Sequence, residues 1–139
     1  MTLLHMLDTD TASYIIKGRV PGIQTKLSIL PPSMVCISAM TRAELQYGLK
    51  RLPPEHRLHF GVRNFLRIMR VLPWDAEAAD HYADIRHRLV TAGQPIGEMD
   101  MLIAAHSLAA GAVLVTNNRR HFERIAPPLA LVNWVEPDS

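Results

Sequence analysis

Three short apolar runs in this chain, residues 3–7, 34–37 and 112–115, each pass straight into polar residues suited to capping a helix or making a turn. Asp8-Thr9-Asp10-Thr11 follows the first, Ser38 the second and Thr116-Asn117-Asn118 the third. Strands alternating with helices predict a parallel sheet covered on both faces. Right-handed crossovers then put every strand-to-helix junction on one edge of that sheet. Ligands of such sheets bind beyond the strand ends, near the point where strand order reverses. The expectation is one α/β domain over residues 1–139, with a central parallel sheet of four to five strands flanked by helices. A length of 139 residues suits one core and is short for two.

Helical periodicity fills the intervals. The Asp8–Thr11 segment supplies N-cap chemistry for a helix through Tyr14, Ile15 and Ile16, which Gly18 ends. Pro21-Gly22 starts a second helix and Pro31-Pro32 stops it. Ser38 caps a helix that carries Glu44 and ends near Arg51. After the Pro53-Pro54 turn a helix is expected from about Glu55, with Leu58, Val62, Phe65, Leu66 and Met69 on one apolar stripe. Val71-Leu72 reads as a brief strand. Asp75 opens a long helix with Ala79, Tyr82, Ile85, Arg86 and Leu89 at helical spacing, closed by Gly93. The helix of Asp100, Leu102, Ile103, Ala104, Ala105 and Leu108 runs to Gly111. A short helix over 119–125 and a last strand over 129–134 complete the expected elements.

The net charge is only +2, but the basic residues are concentrated: seven Lys/Arg stand against two Glu between residues 42 and 70. Twelve of the fifteen are Arg, whose planar fork suits phosphate. A solvated helix face accounts equally well for any single one. Cys36 is the only cysteine; in its apolar run it reads as a small buried hydrophobe and suits a reducing cytoplasm. No basic leader precedes the first apolar run, so a secretory signal is not expected. Residues 101–118 hold no Asp, Glu, Lys or Arg. His106, Ser107, Thr116 and the Gly111 break nevertheless make them a buried helix and strand rather than a membrane span. The expected protein is soluble and cytoplasmic.

Against this basic background four carboxylates sit at strand–helix junctions: Asp8, Glu44, Glu98 and Asp100. Two ionised carboxylates about 4 Å apart repel by roughly 4 kcal/mol at an effective dielectric of about 20, so several converge only around a cation or when protonated. Hard oxygen ligands with no His/Cys pairing favour Mg²⁺ or Mn²⁺ over zinc. Such a metal polarises a phosphoryl oxygen and lowers the pKa of bound water. On this reading Asp8 and Asp100 ligate the metal directly or through water. Glu44 binds it through water or orients the attacking water, Asn118 is a neutral ligand or water-positioner, and Glu98 is a candidate fourth acid. Each residue has a plainer role: Asp8 as a helix cap, Asp100 as a partner of the helix dipole, Glu44 and Glu98 as solvated acids, Asn118 as a turn residue. Asp10 reads as a second cap, and His121 as a substrate contact or a solvated side chain. Joint placement on one rim is what points to a metal-dependent nuclease.

The segments Met6-Leu7-Asp8-Thr9-Asp10, Ser38-Ala39-Met40-Thr41-Arg42-Ala43-Glu44-Leu45 and Gly97-Glu98-Met99-Asp100-Met101-Leu102-Ile103-Ala104-Ala105-His106 look like the PIN-domain family. Val113-Leu114-Val115-Thr116-Asn117-Asn118, followed by His121-Phe122-Glu123-Arg124-Ile125, extends the match. Together they closely resemble the VapC toxin branch of bacterial type II toxin–antitoxin systems, over essentially the whole chain. The resemblance implies a single PIN-like domain that acts as a Mg²⁺- or Mn²⁺-dependent endoribonuclease. It implies cleavage of tRNA or rRNA and a block of translation. It also implies a homodimer, and a hetero-oligomer with an inhibitory VapB-type antitoxin through which alone DNA is contacted. Carried over by position, the first three family acids fall on Asp8, Glu44 and Asp100. The fourth falls on Asn118, which offers a carbonyl oxygen but no charge. The position before Phe122, acidic in many relatives, is His121, and Asp10 stands where Asn is frequent. Two alternatives remain open at this point: a catalytically weak or inactive PIN-like module that binds RNA or protein, and a phosphoryl-transfer enzyme acting on a small phosphate ester.

Overall fold

The first apolar run takes the central place in the molecule. β1 (His5–Leu7) lies between β2 (Val35–Ser38) and β4 (Val113–Val115), with β3 (Arg70–Leu72) and β5 (Leu131–Val132) outside them in the order β3-β2-β1-β4-β5. All four pairings are parallel. The computed structural model describes residues 3–125 and 129–135; residues 1–2, 126–128 and 136–139 of the expected domain lie outside that range. Among the described residues the sheet has five strands, the upper end of the expectation.

Successive side chains of a strand point to opposite faces, and here each face meets its own helical layer. Leu7, Val35, Ile37 and Val115 pack with α1 (Thr9–Lys17), α2 (Pro21–Ile29), α3 (Ala39–Lys50) and α4 (Leu58–Ile68). Met6, Cys36 and Leu114 pack with α5 (Ala76–Thr91), α6 (Glu98–Ala110) and α7 (Arg119–Phe122). All seven strand residues are buried. Complete burial of such a side chain contributes about 1.5–3 kcal/mol. The sheet is therefore covered on both sides, and its strands read as continuous apolar runs for that reason.

Local capping chemistry starts the helices where the sequence indicates. The side chains of Asp8, Ser38 and Asp75 accept the backbone N–H groups of Thr11, Met40 and Ala78. Gly18 and Gly111 close α1 and α6 in the left-handed region, at φ of 66° and 63°. Three boundaries differ from expectation. α4 begins at Leu58 rather than near Glu55, because the turn after Pro53 ends at His56, whose Nδ1 accepts the Leu58 N–H. α7 stops at Phe122, short of Ile125, and β5 spans only two residues of the expected 129–134. No helix among the described residues is long and apolar enough to cross a membrane.

The chain lays down β1, β2 and β3 towards one edge, then returns to the other side of β1 for β4 and β5. Strand order thus reverses between β1 and β4. At that point the Asp8 N–H donates to the Val115 carbonyl at 3.0 Å, and the Thr11 hydroxyl donates to the same oxygen at 3.2 Å.

Candidate active site

Asp8 leaves the end of β1 directly at the strand-order reversal. Its Oδ1 accepts the Thr11 N–H at 2.8 Å, so it is the helix cap that its position suggests. It is also only 5% exposed. Burial pushes its carboxyl above the usual range, against hydrogen bonds from Thr116 and Thr11 that pull it down; the charge of Asp10 adds to the upward push. A cap that serves only its helix gains nothing from such desolvation.

Glu44 sits on the second turn of α3. The Thr9 hydroxyl donates to its Oε1 and lies 3.2 Å from the Thr41 hydroxyl, so α1 and α3 meet at this carboxylate. Burial raises Glu44, the Thr9 hydrogen bond lowers it, and the charges of Asp100, Asp10 and Asp8 each raise it further. Three acids from other segments therefore act on this one.

Asp100 occupies the first turn of α6, with its side chain 35% exposed. Burial raises it, while His121 opposes the rise through a hydrogen bond and charge. His121 Nδ1 lies 3.6 Å from Asp100 Oδ2 and 2.8 Å from Asn118 Nδ2. Asn118 stands at the start of α7, its N–H held by the Thr116 hydroxyl at 2.9 Å. The loop after β4 thus serves both sides of the site: Thr116 turns to Asp8, while Asn118 and His121 turn to Asp100.

Glu98 is not part of this charge network. Its carboxylate accepts the Tyr82 hydroxyl at 3.0 Å and lies 3.6 Å from Arg86, on the α5 side. A further acid acts on the other three: the charge of Asp10 raises Asp8, Glu44 and Asp100 alike. Sequence reasoning read Asp10 as a cap, Thr9 as part of the same capping segment and Thr116 as a turn residue, and gave neither threonine a place in the site. Thr9 follows Asp8 directly and Thr116 follows β4 directly, so adjacency to the strand ends was their only signal. A groove of about 220 Å³ runs from Thr9, Asp10 and Glu44 between α1 and α3 towards Val62. A larger cavity of about 420 Å³, edged by Lys17, Arg19 and Arg57, adjoins it through Ile16 and Leu58 but does not reach the acids.

Among the described residues no three His, Cys, Asp or Glu side chains are grouped closely enough to hold a metal ion between them. The donor chemistry nevertheless fits a hard dication: carboxylates whose ionised forms are disfavoured by burial and by one another, with no thiolate nearby. Cys36 is buried on the sheet, and its thiol is pushed up to about 11 by burial. Oxygen donors of this kind suit a cation that keeps part of its water shell.

Comparison with known proteins agrees with the geometry. The PIN domain family matches residues 5–127. The tRNA(fMet)-specific endonuclease VapC of Salmonella typhimurium is 41% identical over 133 residues, covering 95% of this chain and 98% of that protein. The protein of the same name from Shigella flexneri is 36% identical, over 88% and 92% of the two chains. Among solved structures, DNA-bound VapBC from Salmonella typhimurium aligns with a TM-score of 0.87 at 38% identity, covering 95% of this chain and 98% of that one. VapBC2 from Rickettsia felis, bound to a promoter DNA fragment, gives 0.86 at 33% identity, covering 95% and 99%. With its acids gathered at the β1–β4 reversal and this likeness along nearly its whole length, the chain belongs to the PIN-domain family, in its VapC ribonuclease branch.

Proposed function

We propose that this protein is the toxin of a type II toxin–antitoxin pair, an endoribonuclease that hydrolyses RNA phosphodiester bonds at Asp8, Glu44 and Asp100 and is neutralised by a VapB-type antitoxin. The observation that carries the reading is the electrostatic state of Glu44. Its carboxyl is raised by burial and by the charges of Asp100, Asp10 and Asp8, a standing repulsion that a bound dication relieves. Mg²⁺ or Mn²⁺ suits these oxygen donors, with Asp8 and Asp100 holding it and Glu44 and Asn118 completing the shell directly or through water. When bound, the metal supplies Lewis-acid polarisation and a water of lowered pKa.

The chain's own residues do the rest. Thr9, itself beside the Thr41 hydroxyl, orients the Glu44 carboxylate, and Glu44 takes a proton from water. Thr11 and Thr116 hydrogen-bond the Asp8 carboxyl, and His121 lies 3.6 Å from that of Asp100. Arg119 and Arg120 follow Asn118 and offer phosphate contacts beside the acids. Because the Salmonella and Shigella relatives are named for tRNA(fMet), initiator tRNA is the substrate to test first. The same proposal includes a cytoplasmic location, a homodimer, and DNA contact only through the antitoxin.

The test is cleavage of total RNA by antitoxin-free protein with Mg²⁺ or Mn²⁺, with EDTA, and beside Asp100→Asn. Discrete fragments lost with EDTA and in the variant support the reading, and mapping their ends identifies the target. A folded wild type that cuts nothing overturns it in favour of a binding module.

A further inference from the structure

We propose that His106 is a positioning residue: its buried hydrogen bond to Ser38 sets the gap between the helix that carries Glu44 and the helix that carries Asp100. The inference rests on the proposed nuclease reading, because it takes those two acids as the working pair.

Ser38 is fully buried, His106 is 3% exposed, and Ser38 Oγ lies 2.7 Å from His106 Nδ1 across 68 residues of sequence. Ser38 ends β2 and caps α3, its Oγ accepting the Met40 N–H at 3.0 Å. With that N–H accepted, the Ser38 hydroxyl hydrogen has Nδ1 as its acceptor when the imidazole is neutral and protonated at Nε2. Burial keeps His106 below its ordinary pKa and so keeps it neutral; Asp75, capping α5, opposes this. A hydrogen bond sealed from water has no solvent substitute, so losing one partner leaves the other unsatisfied.

Position in the fold makes this bond more than a core contact. Ser38 and Glu44 are six residues apart on one side of the pin, and Asp100 and His106 are six apart on the other. Six helical residues span about 9 Å, so each acid lies less than two turns from the pin. Helix turns are stiff over that length, and α3 and α6 pack against each other. Displacement at Ser38–His106 is therefore passed on to the separation of Glu44 and Asp100. No other hydrogen bond found among the described residues joins α3, or its cap, to α6. Misplacement of reacting groups by about 1 Å costs on the order of 100-fold in rate.

The experiment compares wild type with His106→Phe, His106→Asn and His106→Gln. Phe keeps a ring but removes the acceptor, and a cavity of about 150 Å³ beside His106 leaves it room. The Asn side-chain amide sits where Nδ1 was, whereas that of Gln extends towards Nε2. Mn²⁺ affinity is read by calorimetry, kcat and KM on RNA at saturating metal, and folding by thermal melts. His106→Phe is expected to weaken Mn²⁺ binding and lower kcat by about tenfold each, with KM for RNA unchanged. His106→Asn is expected to restore most of both losses, and His106→Gln little. Folded His106→Phe with wild-type Mn²⁺ affinity and kcat overturns the proposal. So do Asn and Gln variants that behave alike, or losses that merely track melting temperature; the Asn–Gln pair decides the matter if the Phe variant does not fold. A wild type that neither binds Mn²⁺ nor cuts RNA instead removes the nuclease reading itself, and this inference with it.

Discussion

Thr9 on α1 donates its hydroxyl to Glu44 on α3, 35 residues away, and this bond opposes the upward push that burial gives the carboxyl. Thr9→Val keeps the shape and removes the donor. Glu44 then titrates at higher pH, so the acidic limb of the kcat/KM profile, where Glu44 must be ionised, moves upward. Profiles recorded on both proteins check this; an unmoved limb means that the ionisation of Glu44 does not limit the rate.

Burial raises Asp8, Glu44 and Asp100 above their ordinary values of 3.8, 4.5 and 3.8. In the metal-free protein the folded state therefore holds these protons to higher pH than the unfolded chain does. Stability falls as pH climbs from the unfolded to the folded values, and the loss is complete above them. Asp8→Asn removes one such penalty. Without metal it is expected to melt above wild type at pH 7, with the difference shrinking towards pH 4. Each kcal/mol is worth about 3–6 °C in a domain of this size. Mn²⁺ stabilises wild type but not the variant, which reverses the order. Melting with and without EDTA reads both effects.

His106 acts with the opposite sign. Its folded pKa lies below the ordinary 6.5, so the unfolded chain takes up a proton first as pH falls. Its contribution to stability is whole above about 6.5 and is lost as pH drops towards the folded value. A folded His106→Phe variant should show a flatter dependence of Tm on pH between about 7 and 5. An unchanged slope would place the acid lability elsewhere.

Asn118 carries a neutral amide 2.8 Å from His121, in the loop that also serves Asp100. Asn118→Asp adds a charged oxygen ligand and is expected to preserve or raise Mn²⁺ affinity. Calorimetry decides, and a clear loss would take Asn118 out of the metal shell.

Arg120, exposed on α7 beside Asn118, is expected to meet phosphate rather than reacting atoms. Arg120→Ala should weaken RNA binding with kcat intact, and should reduce the slope of log affinity against log salt by about one unit. An unaltered slope would mean that Arg120 faces away from the RNA.

Local rules made much of the fold legible in advance. Asp8, Ser38 and Asp75 cap the helices that follow them because a cap needs only its own next three residues. The buried strands read as apolar runs because both faces of the sheet are covered. Boundaries slipped where a side chain intervened, as His56 does by taking the Leu58 N–H and delaying α4. Asp8 was nameable because a strand end leaves its next residue on the ligand-binding rim of a parallel sheet, whereas Glu44 and Asp100, inside α3 and α6, were named with the help of the family resemblance.

The roles of Glu98 and Asp10 were beyond that reach. Glu98 lies two residues before Asp100, which on a helix is about 200° around the axis, and so it turns to Tyr82 and Arg86 instead of the acids. Asp10 is two residues from Asp8, yet its charge is felt at Glu44 and Asp100, on helices tens of residues away in sequence. The sequence by itself determined the fold class and the helix caps, since periodicity, capping and strand-end position are written within a few residues. Only the tertiary structure decided the reach of the Asp10 charge, the Thr9 and Thr116 hydrogen bonds and the Ser38–His106 hydrogen bond. Those depend on distances between segments tens of residues apart, which packing sets and local spacing does not encode.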